Sequence, residues 1–259
     1  ETATTIGTQR QNNYALKQPD KESFIAAVKE DLLPPPQYFS KNAAINKVGY
    51  ENLNIVLGKE MNPLSISQFK NEMQNGALII DTRLYTEFSE GHIEGAINIG
   101  HNGFFAVWVG TLVEDLNTPI VLVTDEGKEE ETIIRLARVG YENVRGYLHG
   151  GIASWKQKKE KLIALPSVCA TKFKMRTDNY TVYDVRNLTE INVDIVDKVI
   201  NIPLKDIQKR SKEIVSDKCY LLCKSGYRSA IAGSILQKMG FENIINVIGG
   251  IDAVTNEKC

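Results

Sequence analysis

PIVLVTDEGKEEETIIRLARVGYENV, from Pro119 to Val144, and CYLLCKSGYRSAIAGSILQKMGFENI, from Cys219 to Ile244, align with each other without a gap. Each opens on a short apolar run, crosses a polar loop, continues with apolar residues at helical spacing and turns at a glycine before another β-rich run. A wholly apolar run that leads into a helix reads as a strand buried on both faces, hence as part of a parallel sheet covered by helices. The repetition extends outward from this pair. IIDTR, with Asp81 and Arg83, matches VYDVR, with Asp184 and Arg186; AINI at Ala96 matches VINI at Val199; HGGIASW from His149 answers IGGIDAV from Ile248. Two copies of one α/β domain follow, each about 100 residues long. Their expected bounds are 61–164 and 167–259, with an N-terminal extension over 1–60.

Within the first copy the pattern predicts helices near Ser67–Met73, Tyr85–Ser89, around Leu112 and over Glu130–Val139. Strands are expected at Leu78–Ile80, Ala96–Ile99, Ile120–Val123 and Val144–Tyr147. Ligand chemistry in such folds lies beyond the carboxyl ends of the strands. The loop CKSGYRS, Cys223 to Ser229, begins at such an end.

A helix start presents backbone N–H groups with no internal partner, together with the positive end of the helix dipole, and so holds an anion. A cysteine placed there, with Lys224 and Arg228 close after it, is expected to favour its thiolate below the free-thiol pKa of about 8.5, and the same N–H ring would hold a sulfur bonded to it. Gly226 lets the backbone turn tightly, and Ser225 and Ser229 offer hydroxyl donors or a helix cap. The bland alternative is a buried strand-end cysteine acting as a small hydrophobe.

With four residues between Cys223 and Arg228, the loop resembles the active-site loop of rhodanese-family sulfurtransferases, in which the cysteine carries a sulfur atom as a persulfide. GHIEGAINI, Gly91 to Ile99, and the paired Asp-x-Arg segments resemble further signatures of that family, with a structural role implied for the latter. The second copy departs from it, having VDIVDKVINI in place of the GHIEGA phrase. The resemblance implies an α/β fold of two tandem rhodanese-like domains, each a parallel sheet flanked by helices, behind the N-terminal extension. It implies Cys223 as catalytic residue and Lys224, Ser225, Gly226, Tyr227, Arg228 and Ser229 as the substrate cradle. The donor would be thiosulfate or a thiol persulfide, and the acceptor sulfite, a thiol or cyanide. Cysteine phosphatases and arsenate reductases use a related loop that is one residue longer, and a phosphatase would also want a general acid that the sequence does not display. A third reading makes both copies interaction modules with a vestigial thiol.

The first copy has no cysteine: Val123 stands where Cys223 stands in the second. Its loop reads TDEGKEEE, so that Asp125, Glu126 and Glu129 lie in the region where the second copy offers Lys224, Ser225, Gly226 and Arg228. Carboxylates there would repel thiosulfate or a persulfide and satisfy the helix start themselves. This copy is expected to be silent as a sulfurtransferase, serving as a docking module or a fold that lost its site. Cys169 and Cys219 read as packing residues and Cys259 as a mobile terminal residue, none at disulfide-framework or zinc spacing.

Net charge is −1, and 24% of residues are charged with both signs dispersed, which gives no footprint for nucleic acid or a membrane surface. No run of about eighteen apolar residues and no signal-peptide pattern is present, and a cytoplasmic setting is expected. In the extension, Asp20–Asp31 reads as an amphipathic helix capped by Asp20, with Phe24, Ile25, Val28 and Leu32 on one face and Pro34 to Pro36 ending it. TIGTQRQNNYAL with FIAAVKEDLLPPPQYFSKNAAINK resembles the C-terminal end of metallo-β-lactamase-fold hydrolases of the glyoxalase II and persulfide dioxygenase type. The chain opens on Glu1 in mid-pattern, as a fragment lacking the rest of such a domain would. His92, His101 and His149 are too scattered to form that fold's metal site, so no metal and no cofactor are expected here.

Overall fold

The computed structural model describes residues 3–29, 38–49, 53–175, 180–191, 199–215 and 218–256. The extension contributes helices α1 (Ile6–Asn12), α2 (Lys21–Lys29), α3 (Tyr38–Val48) and α4 (Leu53–Glu60). The first copy follows as β1 (Pro63–Leu64), α5 (Ile66–Gln74), β2 (Leu78–Asp81), α6 (Tyr85–Glu90), β3 (Ile97–Asn98), α7 (Phe105–Leu112), β4 (Ile120–Val123), α8 (Glu129–Ala137), β5 (Val144–Leu148) and α9 (Gly151–Gln157). The second comprises β6 (Ser167–Val168), α10 (Ala170–Lys174), β7 (Thr181–Asp184), β8 (Val199–Asn201), β9 (Cys219–Leu222), α11 (Tyr227–Lys238), β10 (Ile244–Val247) and α12 (Gly250–Asn256), with short 3₁₀ turns between β7 and β9.

Each copy is a five-stranded parallel sheet, ordered β1-β5-β4-β2-β3 in the first and β6-β10-β9-β7-β8 in the second. The expected strands are present. The two edge strands β1 and β6 went unread because two residues carry no period. Asp20 accepts the Ser23 N–H at 2.7 Å and so caps α2 as expected. Phe24 and Ile25 of α2, however, stay about 40% exposed. Among the described residues of the extension, only α4 reaches a core, burying Val56 and Glu60 against the first copy.

The packing of α11 is the feature that positions the site. Eight consecutive residues, Ser229 to Leu236, are buried, because α11 lies against β9 and β10 of its own sheet and against β3 and α6 of the other copy. Small residues at Ala230, Ala232 and Gly233 permit this close approach, and the Ser234 hydroxyl takes the Asn98 N–H of β3 at 3.0 Å. Side chains alternate along β9. Cys219, Leu221 and Cys223 join the large core shared by both copies, whereas Tyr220 and Leu222 join a smaller core under α10 and α12.

At both strand ends the Asp-x-Arg segments fold back on themselves, as their structural reading requires. Arg83 Nη2 lies 2.6 Å from Asp81 Oδ2, and Arg186 Nη2 lies 2.6 Å from Asp184 Oδ2. In the GHIEGA phrase, His92 is buried, stacks on Phe88 with ring centroids 3.7 Å apart, and places Nδ1 2.9 Å from the Phe88 carbonyl. Burial pushes its imidazole from 6.5 down to about 4, with Arg83 adding to the effect. The unfolded chain therefore binds this proton first as pH falls. His92 should cost the fold nothing above pH 6.5 and about 3 kcal/mol by pH 4. Urea denaturation across that window should show the decline in the wild type, and His92→Asn, which keeps a donor towards the Phe88 carbonyl, should remove most of it.

Candidate active site

Cys223 is the first residue after β9, and its side chain is 0% exposed on the face that meets α11. The Gly226 N–H donates to Cys223 Sγ at 3.1 Å, and the Ser229 hydroxyl lies 3.3 Å from the same sulfur. The helix begins at Tyr227. Its N-cap is Gly226, in the left-handed region at φ 87°, with no side-chain cap, so Ser225 does not fill that role. Ser229 is buried and bridges Cys223 Sγ to the Gly226 carbonyl at 3.2 Å, while Lys224 and Ser225 are exposed on the outer side of the loop.

The side chains of two expected cradle residues are engaged by partners. Arg228 makes a two-pronged ion pair with Glu190, with bonds of 2.6 and 2.8 Å, which holds the Glu190 carboxyl below the usual carboxylate range. Arg186 also reaches the Glu190 carbonyl at 3.3 Å, so the β7 end and the start of α11 are linked through one residue. The Tyr227 ring inserts into the first copy. Its hydroxyl donates to the Gly100 carbonyl at 2.9 Å, and a Cβ on Gly103 would lie only 2.3 Å from the ring. Burial pushes the Tyr227 hydroxyl's pKa up.

Sequence reasoning missed Glu190 and Tyr85. Glu190 had a signal: the pair Thr-Glu follows Asp-x-Arg in both copies, and Asn187 to Glu190 has capping-box spacing, which the structure realises. Tyr85 had none, because its contacts cross between copies. Its hydroxyl donates to the Ser225 carbonyl at 3.3 Å and receives the Gly249 N–H at 3.4 Å.

The outer carbonyls of the loop are satisfied by α12, whose Ile251 and Asp252 N–H groups donate to Cys223 O at 2.8 Å and Lys224 O at 2.9 Å. This approach requires Gly250, at φ 55°, where a Cβ would stand 2.3 Å from the Cys223 carbonyl. The site can therefore hold one sulfur at a helix start, with the carbonyls of Cys223, Lys224, Ser225 and Gly226 each taken by a neighbour.

A family model for the rhodanese-like domain matches residues 65–158 and again 170–257. The chain belongs to the rhodanese-like domain family. Among curated relatives, a Bacillus subtilis (strain 168) protein named "Putative sulfur carrier protein YrkF" is 28% identical over 54% of this chain and 82% of its own. An Allochromatium vinosum protein named "Sulfurtransferase" is 31% identical over 30% of this chain and 73% of its own. A rhodanese-related protein from Thermoplasma volcanium, of solved structure, is 33% identical over 36% of this chain and 92% of its own, with a TM-score of 0.33. A metallo-beta-lactamase from Staphylococcus aureus subsp. aureus COL shares 23% identity over 56% of this chain and 40% of its own, with a TM-score of 0.45.

Both rhodanese-like domains thus keep the fold, but the loops differ. In the first, Val123 ends β4, and Glu129, Glu130 and Glu131 occupy the first turn of α8. Glu131 pairs with Lys128 at 3.1 Å and with His101 at 3.4 Å. Cys219 is a free thiol whose pKa burial pushes up to about 11, in keeping with a packing role. Cys169 is not the packing thiol expected of it but is disulfide-bonded; cysteines brought together only by tertiary structure leave no spacing signal. Cys259 and most of the segment replacing the GHIEGA phrase lie outside the described residues. Among the described residues no helix is long and apolar enough to cross a membrane.

Gly250→Ala should lower stability by about 3 kcal/mol and displace the Cys223 backbone, because both its conformation and its space are forbidden to a side chain. Gly240→Ala, at φ 91° with nothing within 4 Å, should cost only about 1 kcal/mol and leave Cys223 reactivity unchanged. Chemical denaturation and alkylation of Cys223 would measure the two.

Proposed function

We propose that this chain is a sulfurtransferase that carries sulfane sulfur as a persulfide on Cys223, and that its first rhodanese-like domain is non-catalytic. The observation that carries the reading is the Gly226 N–H aimed at Cys223 Sγ where a buried strand gives way to a helix. Such a donor stabilises the anionic sulfur before and after loading.

Cys223 thiolate attacks the outer sulfur of thiosulfate, and the sulfur–sulfur bond of the donor breaks with its electron pair leaving on sulfite. A thiol persulfide donor would release a thiolate in the same way. The new persulfide's inner sulfur keeps the Gly226 N–H, and its terminal sulfur would be held by further N–H groups at the start of α11. A thiol, sulfite or cyanide attacks that sulfur, and the Cys223 thiolate leaves with the bonding pair. Exposed Lys224 and Ser225 are placed to meet the anionic donor. Arg228, engaged by Glu190, orients the loop. In the first domain the carboxylates of Glu129, Glu130 and Glu131 and the lack of a thiol suit no such step.

Intact-protein mass spectrometry tests this directly. The chain treated with thiosulfate or glutathione persulfide should gain one sulfur atom and lose it to an added thiol, and Cys223→Ser should gain none. No retained sulfur from either donor would remove the enzymatic reading and leave both domains as interaction modules.

A further inference from the structure

The hydroxyl of Tyr85, on α6 of the first domain, reaches the loop of the second at one particular peptide. It donates to the Ser225 carbonyl at 3.3 Å, and the N–H of that same planar unit, belonging to Gly226, donates to Cys223 Sγ at 3.1 Å. The Tyr85 oxygen in turn receives the Gly249 N–H at 3.4 Å. The groups form one directional series: Gly249 N–H to Tyr85 O–H, to the Ser225–Gly226 peptide, to sulfur. In such a series each bond polarises the next, and a peptide held at its oxygen cannot rotate its N–H away.

The fit around the hydroxyl is close. A Cβ on Gly226 would lie 2.8 Å from the Tyr85 oxygen and 2.9 Å from the Gly249 nitrogen, so the hydroxyl occupies space that only glycine leaves open. The second domain cannot supply this group itself. Counting from the paired aspartates, Leu188 stands where Tyr85 stands in the first, and it is 72% exposed. Tyr227, the next residue of the loop, is anchored in the first domain at Gly100, which fixes the two sides of the contact together.

We infer that Tyr85 of the silent domain is a positioning residue of the Cys223 site, holding the Ser225–Gly226 peptide with its N–H on the sulfur. The inference deepens the sulfurtransferase reading and rests on it for its kinetic consequence. The silent domain then completes the reactive one across their interface.

The test uses the full chain with Tyr85→Phe, which keeps the ring and removes the hydroxyl, and Leu84→Ala, an exposed neighbour, as control. Loss of a hydrogen bond of ordinary strength corresponds to about a fivefold effect. Tyr85→Phe should lower kcat for thiosulfate about fivefold with KM unchanged, and slow iodoacetamide labelling of Cys223, read by peptide mass spectrometry, by a similar factor. Its urea midpoint should stay near that of the wild type, and Leu84→Ala should leave all three readings unchanged. A raised KM at constant kcat would overturn the inference by making Tyr85 a donor contact. Faster labelling would overturn it by making the ring a shield, and unchanged labelling would overturn it outright. If no variant, nor the wild type, accepts sulfur, the sulfurtransferase reading fails, while the labelling rates still decide the role of Tyr85.

Discussion

Helix α11 is packed on two sides by two different sheets, and the setting of the Cys223 sulfur depends on that confinement. A helix start offers an anion its unpaired N–H groups only if it is held against the anion's carrier. Here β9 delivers the sulfur, α11 delivers the amide, and the first domain presses on the far side of α11 through β3 and α6. The Asn98 N–H to Ser234 bond, the Tyr227 hydroxyl on Gly100 and Gly233 against Leu165 all fix α11 along its length. The loop between strand and helix is left little freedom. Its carbonyls are taken by α12 and Tyr85, and the side chains of Arg228 and Tyr227 by Glu190 and the first domain.

The sequence displays what is periodic or repeated. Buried parallel strands are continuous apolar runs, helices carry a 3.6-residue period, and a duplicated domain shows each signal twice, so β2, β4, β9 and α8 could be placed closely. The loop at Cys223 was legible for the same reason: it stands in a strand-to-helix context, which the structure shows, and differs sharply from its own duplicate. Contacts between the copies were not legible. Tyr85 read only as the start of a helix and Tyr227 as a cradle residue, since no local pattern says which side chain crosses an interface. Arg228 read as an anion ligand because it follows the cysteine, and only the tertiary fold brings Glu190 to it. Cys169 shows the same limit, its disulfide having no counterpart in sequence spacing.

Comparing the two domains within one chain separates what the fold needs from what chemistry needs. Asn98 donates to the Asp81 and Arg83 carbonyls at 3.0 and 3.1 Å, and Asn201 donates to those of Asp184 and Arg186, both at 2.8 Å. Each buried pair of aspartate and arginine is closed at 2.6 Å. These networks are alike in the domain with a thiol and the domain without one. A buried carboxylate stripped of its guanidinium would cost several kcal/mol, so both domains require the pair whether or not they react. The glycine pairs behave alike too, with Gly151 crowding the Thr124 carbonyl as Gly250 crowds that of Cys223. What differs is confined to the residues after β4 and β9. There a thiol over a glycine amide faces, in the other copy, a valine followed by acidic residues in the first helical turn. The strand-end networks are therefore maintained by folding, and the thiol with its glycine amide is set on them at one loop, which is held in turn by the domain that has no thiol.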